Sequence, residues 1–371
     1  MFISLPIVDT NPNRGVTYGI MPIWVIRDPD SSRIRQIHAP SLTYNRHFRW
    51  VPTYRLYHYP TPLSSYEFRA SISDNQDKEL MGQIIDAAFL GSALAIGVKL
   101  QYDVDGSKRF YGIGPNSRRA AESNFTRKVF HYYARVGVPI FKDTGLRWNV
   151  AHHFGGQVID HGAIGSLPNI DKTFPQDVAP RWNQESELQL FIDYDTRDNA
   201  ITTSRGSYFK FMFENSQKAF ASNHVFQRYG FDLRQFLKHD DTFCATALRL
   251  YFEQLQGAAP FYLLPALGGK YTLRGYGTGR YIDKGMTGAG LEERLTIYKA
   301  KVAGVITELE VAPFAEIGTV FHAPKDIASR YMRPTLGSAF RAVARPQVVG
   351  SIDVGVGQEG AAVFMDINYS F

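Results

Sequence analysis

The chain ends in VFMDINYSF, residues 363–371, and the reading of these nine residues decides the fold. Val363, Met365, Ile367, Tyr369 and Phe371 occupy one parity, while Asp366, Asn368 and Ser370 occupy the other, with Phe364 the exception. Successive side chains of a strand point to opposite faces, so this period of two predicts a strand with one apolar and one polar face. The pattern recurs upstream. In ELQLFIDYD, Leu188, Leu190, Ile192 and Tyr194 oppose Glu187, Gln189, Asp193 and Asp195. In QRYGFDLR, Tyr229, Phe231 and Leu233 oppose Arg228, Asp232 and Arg234, and in TELEVAPFAEIG, Leu309, Val311 and Ile317 oppose Glu308, Glu310 and Glu316. Charges on the second face point to a wet interior rather than to a second packed sheet.

Sixteen such strands can be read, the first over 17–27 and the last over 361–371. The long connections, 104–124, 160–185, 257–287 and 320–330, share one parity of the count, and most of the others are as brief as KDTG at 142–145. Long extracellular loops alternating with short periplasmic turns are the layout of an outer-membrane barrel. The predicted fold is therefore all-β: a transmembrane antiparallel barrel of about sixteen strands over residues 17–371, behind a short N-terminal segment, 1–16. Residues 76–91 break the alternation, being too long for a tight turn, and LMGQIIDAAF within them reads equally as loop or as an extra strand. Pro22 falls in the first predicted strand, where a missing backbone donor would weaken the seam between first and last strands; a bulge or strand start accounts for it as well.

Composition agrees with a barrel. A chain of 371 residues suggests two soluble domains or one large barrel. With 44% apolar residues, 21 tyrosines, 26 phenylalanines and 32 glycines in no repeating period, it reads as sheet-rich. The longest nearly apolar run, AAFLGSALAIGV at 87–98, is 12 residues, against about 20 for a spanning helix. A mean hydropathy of −0.23 does not exclude a membrane, because barrel strands show lipid only alternate residues. The single cysteine, Cys244, excludes an internal disulfide and a multi-cysteine metal site, and no metal or cofactor is expected. MFISLP at the start lacks a basic segment followed by an apolar one, so an exported form is expected to have lost its signal peptide already. The net charge of +6 is mild and dispersed; it suits anionic lipid heads and not nucleic acid.

The connection at 257–287 contains LGGKYTLRGYGTGRYID, residues 267–283. Gly275, Gly277 and Gly279 do not form a dinucleotide fingerprint, which needs a strand before and a helix after it. The stretch instead resembles the sixth extracellular loop of the BamA and two-partner-secretion transporter superfamily of outer-membrane barrels, also called bacterial surface antigens. The resemblance implies a loop built on Gly268 and Gly269 whose tip, Arg274, Gly275 and Tyr276, folds back into the lumen. Three other segments are similar to that family in the same order. IDYDTRDNAITTSRGSYFKF at 192–211 looks like its strand, periplasmic turn and strand, through Asp195, Arg197, Asp198, Arg205 and Gly206. RFYGIGPNS at 109–117 and PFAEIGTV at 313–320 resemble two further segments, with Glu316 standing where aspartate is more usual. The terminal Phe371, with Tyr369, fits the signal read by the outer-membrane assembly machinery.

Parity carries the loop further. Glu316 shares the lumen face with Glu308 and Glu310, and Glu292 shares one with Arg294 and Thr296. A guanidinium inside a barrel is costly unless paired, and a carboxylate is its best partner. Arg274 is therefore expected to pair with Glu316, with Glu292 nearby, locking the loop. Enzyme readings find no support: His152 and His153 are adjacent on a strand and face opposite ways, and no Gly-x-Ser-x-Gly elbow occurs.

The resemblance implies a multi-pass barrel in the outer membrane of a Gram-negative bacterium, in contact with lipid and lipopolysaccharide and assembled by the barrel machinery. Three functions are consistent with it. The first is insertion or translocation of client proteins through a weak first/last-strand seam. The second is a channel for small solutes or a lipid-linked substrate, plugged by the loop, and the third is a structural surface antigen. The periplasmic POTRA domains usual in the family are not expected within these residues. An isologous dimer through lipid-facing strands is compatible with the sequence.

Overall fold

Stretches of alternating polarity become strands, each paired antiparallel with its neighbour in sequence. The computed structural model describes residues 2–28, 33–142, 144–178, 182–239, 244–302, 305–345, 348–367 and 369–371. The wall opens with β1 (Phe2–Asn11) and β2 (Gly15–Arg27); β3 (Ile34–His38) and β4 (Ser41–Asn45) form one pass interrupted at Ala39 and Pro40. Proline has no N–H for the ladder, which accounts for the break. The wall continues with β5 (Arg49–His58), β6 (Ser64–Ile72), β7 (Lys78–Ala88), β8 (Leu94–Phe110), β9 (Ser123–Pro139), β10 (Leu146–His161), β11 (Asn183–Asp195), β12 (Gly206–Ser216), β13 (Val225–Lys238) and β14 (Cys244–Ala258). A small separate hairpin, β15 (Ala266–Leu267) and β16 (Tyr281–Ile282), lies in the long loop that follows. The wall is completed by β17 (Gly285–Val302), β18 (Val305–Phe321), β19 (Arg333–Ala344), β20 (Val348–Gly357) and β21 (Gly360–Ile367).

Among the described residues nineteen strands belong to one sheet, and with β3 and β4 taken as one pass the wall is crossed eighteen times. β21 lies against β1 and closes the circuit. Outward positions are apolar and exposed: Val16, Tyr18 and Ile20 on β2 and Val98, Leu100 and Tyr102 on β8 all stand open. A belt of this kind would be a liability in water and is the ordinary outer surface of a membrane barrel. Among the described residues no helix is long and apolar enough to cross a membrane. Inward positions are polar and filled. On β18, Glu310, Phe314 and Glu316 are buried while Leu309 and Ile317 face out.

Two strands are additions to the sixteen read from the sequence. Residues 2–11, assigned above to a short segment before the barrel, form β1 and pair with β2 from Phe2↔Trp24 to Asn11↔Gly15. The ambiguous stretch at 76–91 is β7. Both escape a period-two reading because apolar residues occupy both parities: Ile3, Leu5 and Ile7 beside Phe2, Pro6 and Val8 in β1, and the doublets Leu80–Met81 and Ile84–Ile85 in β7. Adding β7 moves the connections before it to the opposite rim from the one assigned. With β1 as well, the loop at 259–284 becomes the seventh on its rim rather than the sixth. Pro22 lies in the second strand, opposite Ser4, and is not at the seam. The last strand ends at Ile367, and Tyr369, Ser370 and Phe371 are buried inside the barrel, not on its lipid face. The Tyr369 ring lies 3.8 Å from the Arg294 guanidinium and the Phe371 ring 5.9 Å from that of Arg274.

Candidate functional site

The loop between β14 and β17 descends into the lumen because its own turns fold it into a compact finger. Gly268 and Gly269 both have positive φ, +115° and +97°, and a side chain on Gly268 would meet the Gly277 carbonyl. The Thr272 hydroxyl donates to the Gly268 carbonyl at 3.0 Å, and the Gly269 N–H donates to the Tyr276 carbonyl at 2.9 Å. Leu267, Leu273, Tyr276 and Tyr281 then pack with Tyr251 and Val320 of the wall. This apolar contact seats the finger; its tip carries the charge.

Arg274 is fully buried. Its backbone N–H donates to Glu316 Oε2 at 2.7 Å and its Nε to Glu316 Oε1 at 2.7 Å. Nη1 donates to Glu292 Oε2 at 2.6 Å, to Asp353 Oδ1 at 2.9 Å and to Ser370 Oγ at 3.2 Å. The guanidinium lies 3.4 Å above the Phe314 ring. Burial alone would lower the arginine's pKa, and Glu292, Glu316 and Asp353 together raise it above the ordinary value instead. The tip residue stays charged.

Glu292 is the hub. Besides Arg274 it accepts from Arg294 Nε at 2.9 Å and from both terminal nitrogens of Arg341, at 2.9 and 2.8 Å. Arg341 also reaches Glu310 at 2.9 Å. Three guanidinium groups thus face four carboxylates, Glu292, Glu310, Glu316 and Asp353, with water excluded. Close approach of the tip to β20 depends on glycine: a Cβ on Gly355 would stand 2.5 Å from the Arg274 carbonyl oxygen. The Tyr276 hydroxyl accepts from the Gln358 N–H at 3.0 Å.

The structure brings Arg274, Gly275, Tyr276, Glu292 and Glu316 together, and it adds residues that parity and motif did not single out. Asp353 and Arg341 are two; Ser370 is a third. Arg280, in the Gly-Arg-Tyr triplet at 279–281 of the same loop, is buried and forms a fork onto Glu359 at 2.7 and 2.6 Å, with Ser117 Oγ at 3.0 Å. The repetition of Arg-Gly-Tyr as Gly-Arg-Tyr was the signal for it. Tyr271 donates to Asp366 of β21 at 2.7 Å, so the loop also touches the last strand.

The turn at 196–205 sits beneath the same network. Arg197 forms a fork onto Asp195 at 2.9 and 2.8 Å. Asp198 Oδ1 accepts from the Ser204 and Arg205 N–H groups, at 3.0 and 3.2 Å. Burial would raise the Asp198 pKa, yet the hydrogen bonds from Ser204, Arg205 and Asn199 outweigh it and hold the carboxyl below its ordinary value. Arg294 joins this turn to the chain end, donating to the Thr203 carbonyl at 2.8 Å and to the Phe371 carbonyl oxygen at 2.8 Å. Tyr369 is held by Glu310 at 3.0 Å and lies 3.8 Å under Arg294. His152 and His153 face opposite sides, the first toward Tyr132 and the second toward Glu187 in the lumen.

Residues 64–357 match the Omp85 superfamily domain. No curated protein matches the sequence. Among solved structures the chain is similar to BamA from Haemophilus ducreyi lacking POTRA domains 1–3, with a TM-score of 0.58 and 12% identity over 94% of this chain and 74% of that one. It is also similar to CdiB from Acinetobacter baumannii, with a TM-score of 0.40 and 13% identity over 99% of this chain and 59% of CdiB. The family match runs from the start of β6 to the end of β20 and contains the whole locked loop, and the chain belongs to the Omp85 superfamily as an outer-membrane β-barrel.

Proposed function

We propose that this barrel inserts or translocates client proteins at the outer membrane of a Gram-negative bacterium by opening between β1 and β21. The observation that carries the reading is the junction itself. β21 lies against β1, yet no ladder pairs them among the described residues, whereas β1 pairs ten residues with β2 and β21 pairs eight with β20. Pro6 adds a position on β1 that has no donor to offer. The chain end turns inward instead of continuing the wall, which leaves an edge that a client strand can extend by main-chain pairing. Outer-membrane proteins are the proposed clients, lipid and lipopolysaccharide the surroundings, and the barrel assembly machinery the route of insertion.

The test is a disulfide between β1 and β21 near Asp9 and Met365, in a chain whose native Cys244 is replaced by serine. Insertion or secretion of clients should stop on oxidation and return on reduction. Activity that survives the crosslink would overturn lateral opening. A second reading, a channel closed by the loop, is favoured by the buried Arg274 network across the lumen. That reading expects conductance to rise in Arg274→Ala and to persist with the seam crosslinked.

A further inference from the structure

The outer wall carries a second, smaller cluster that the lumen network does not use. His239, just past β13, Cys244, the first residue of β14, and Glu293 on β17 place one ligand atom each within 4.8 Å of one another. The ends of the intervening turn are fixed by a backbone bond, His239 N–H to the Cys244 carbonyl at 3.1 Å. His239 Nε2 lies 3.7 Å from Glu293 Oε1, and the Cys244 thiol donates to that same oxygen. The Thr246 hydroxyl sits between them, 2.7 Å from His239 Nε2 and 2.7 Å from Glu293 Oε2.

Glu293 occupies the outward parity of β17 between Leu291 and Leu295, both of which are exposed to the bilayer side. An ionised carboxylate on that wall is costly unless a proton or a cation neutralises it. Among the described residues no lysine or arginine pairs with Glu293. The donor set is one imidazole nitrogen, one sulfur and one carboxylate oxygen. Hard cations such as magnesium select oxygen ligands, whereas zinc takes nitrogen, sulfur and oxygen together in a tetrahedron. Neighbouring ligand atoms of such a tetrahedron stand about 3.3–3.8 Å apart, so small side-chain rotations are enough. His239 is half exposed and Glu293 one-third exposed, which leaves an entry path from the short-turn rim.

We propose that His239, Cys244 and Glu293 form a zinc site on the short-turn rim, with water in the fourth position and the thiol proton released on binding. The ion ties the β13–β14 turn to β17, one residue from Glu292 of the lumen network. The site was illegible in the sequence because Glu293 lies far along the chain from the other two ligands, beyond the whole plug loop.

Cys244 is the only thiol, so its reactivity reports the site alone. The folded full-length barrel in detergent is treated with a maleimide after removal of metal by EDTA, then with added Zn²⁺ or Mg²⁺. Zinc should slow labelling about tenfold or more, because a coordinated thiolate is withdrawn from reaction. EDTA should restore the rate, Mg²⁺ should leave it unchanged, and His239→Ala and Glu293→Gln should lose the protection while keeping the heat-shifted gel mobility of a folded barrel. Labelling indifferent to zinc in the native chain overturns the proposal, whatever the variants do. Equal protection by Mg²⁺, or full protection in both folded variants, overturns it as well.

Discussion

Replacement of Arg274 by alanine isolates what the tip contributes. Glu292 would keep Arg294 and Arg341, and Asp353 would keep Arg341 and Ser351. Among the described residues Glu316 would keep only the backbone N–H of residue 274. The variant therefore orphans one buried carboxylate and leaves two guanidinium groups against four acids. Breaking a buried pair from one side costs about 3–5 kcal/mol. At about 1.4 kcal/mol per decade, the docking equilibrium of the loop should fall about 10²- to 4 × 10³-fold. Trypsin reads this directly, because Lys270 and Arg280 of the loop are 5% and 3% exposed and a cut at either needs the loop to leave. When reclosing outpaces cleavage, the rate follows the open population and should rise by the same factor. The companion variants sharpen the test. Glu316→Gln added to Arg274→Ala should recover most of the loss, since it removes the orphaned charge. Glu292→Gln added to the same background should worsen it, since Arg294 and Arg341 then lose their shared acceptor. Wild-type cleavage in Arg274→Ala, or rescue by Glu292→Gln as good as by Glu316→Gln, would falsify this account of the lock.

Gly355→Val should also undock the tip, because its Cβ would fall 2.5 Å from the Arg274 carbonyl oxygen; loop cleavage should rise while the barrel keeps its folded gel mobility. Arg280→Ala removes the fork onto Glu359 and the Ser117 contacts, worth about 1.5–3 kcal/mol for bonds to a charged group. Hydrogen exchange should quicken at residues 277–283 and stay unchanged at 268–275. The turn should respond to acid through Asp198, whose folded pKa lies below its unfolded value of about 3.9. Its contribution is present above that unfolded value and is lost as pH falls through the folded one. Amide protection at Ser204 and Arg205 should hold down to about pH 4 and fade below it, and Asp198→Asn should flatten that profile.

Parity made most of the wall readable, because wherever one face meets lipid and the other the lumen, charge cannot sit on both. It also places Glu292, Glu316 and Arg294 inside from the sequence alone. It failed at β1 and β7, whose apolar residues fall on both parities, and there the strands are fixed by ladders to β2, β6 and β8 rather than by burial contrast. It misread Tyr369 and Phe371 for a different reason. Alternation continues through residue 371 in the sequence, but cations in the lumen draw these rings in from lipid: Tyr369 rests against Arg294, and the Phe371 ring lies 5.9 Å from Arg274. Asp353 and Arg341 were invisible as partners because a strand pattern gives a side chain's face and not its height across the barrel.

The network is asymmetric, and the asymmetry separates two motions. Glu292 has three guanidinium partners, so withdrawal of the loop leaves it paired with Arg294 and Arg341. The chain end does not depend on Arg274 either, since Tyr369 is held by Glu310 and the Phe371 carbonyl oxygen by Arg294. At the chain end Arg274 meets Ser370 at 3.2 Å and the Phe371 ring at 5.9 Å, and Ser370 also has Asp353 at 3.2 Å. Loop release therefore orphans Glu316 among the acids of the network and breaks the Arg280–Glu359 fork and the Tyr271–Asp366 bond, while freeing β21 further requires breaking the Arg294 and Glu310 contacts. If the seam is the working edge, the plug can leave the lumen while the edge stays closed. Arg294, which meets the loop's hub, the turn at Thr203 and the chain end at Phe371, is where the two steps join.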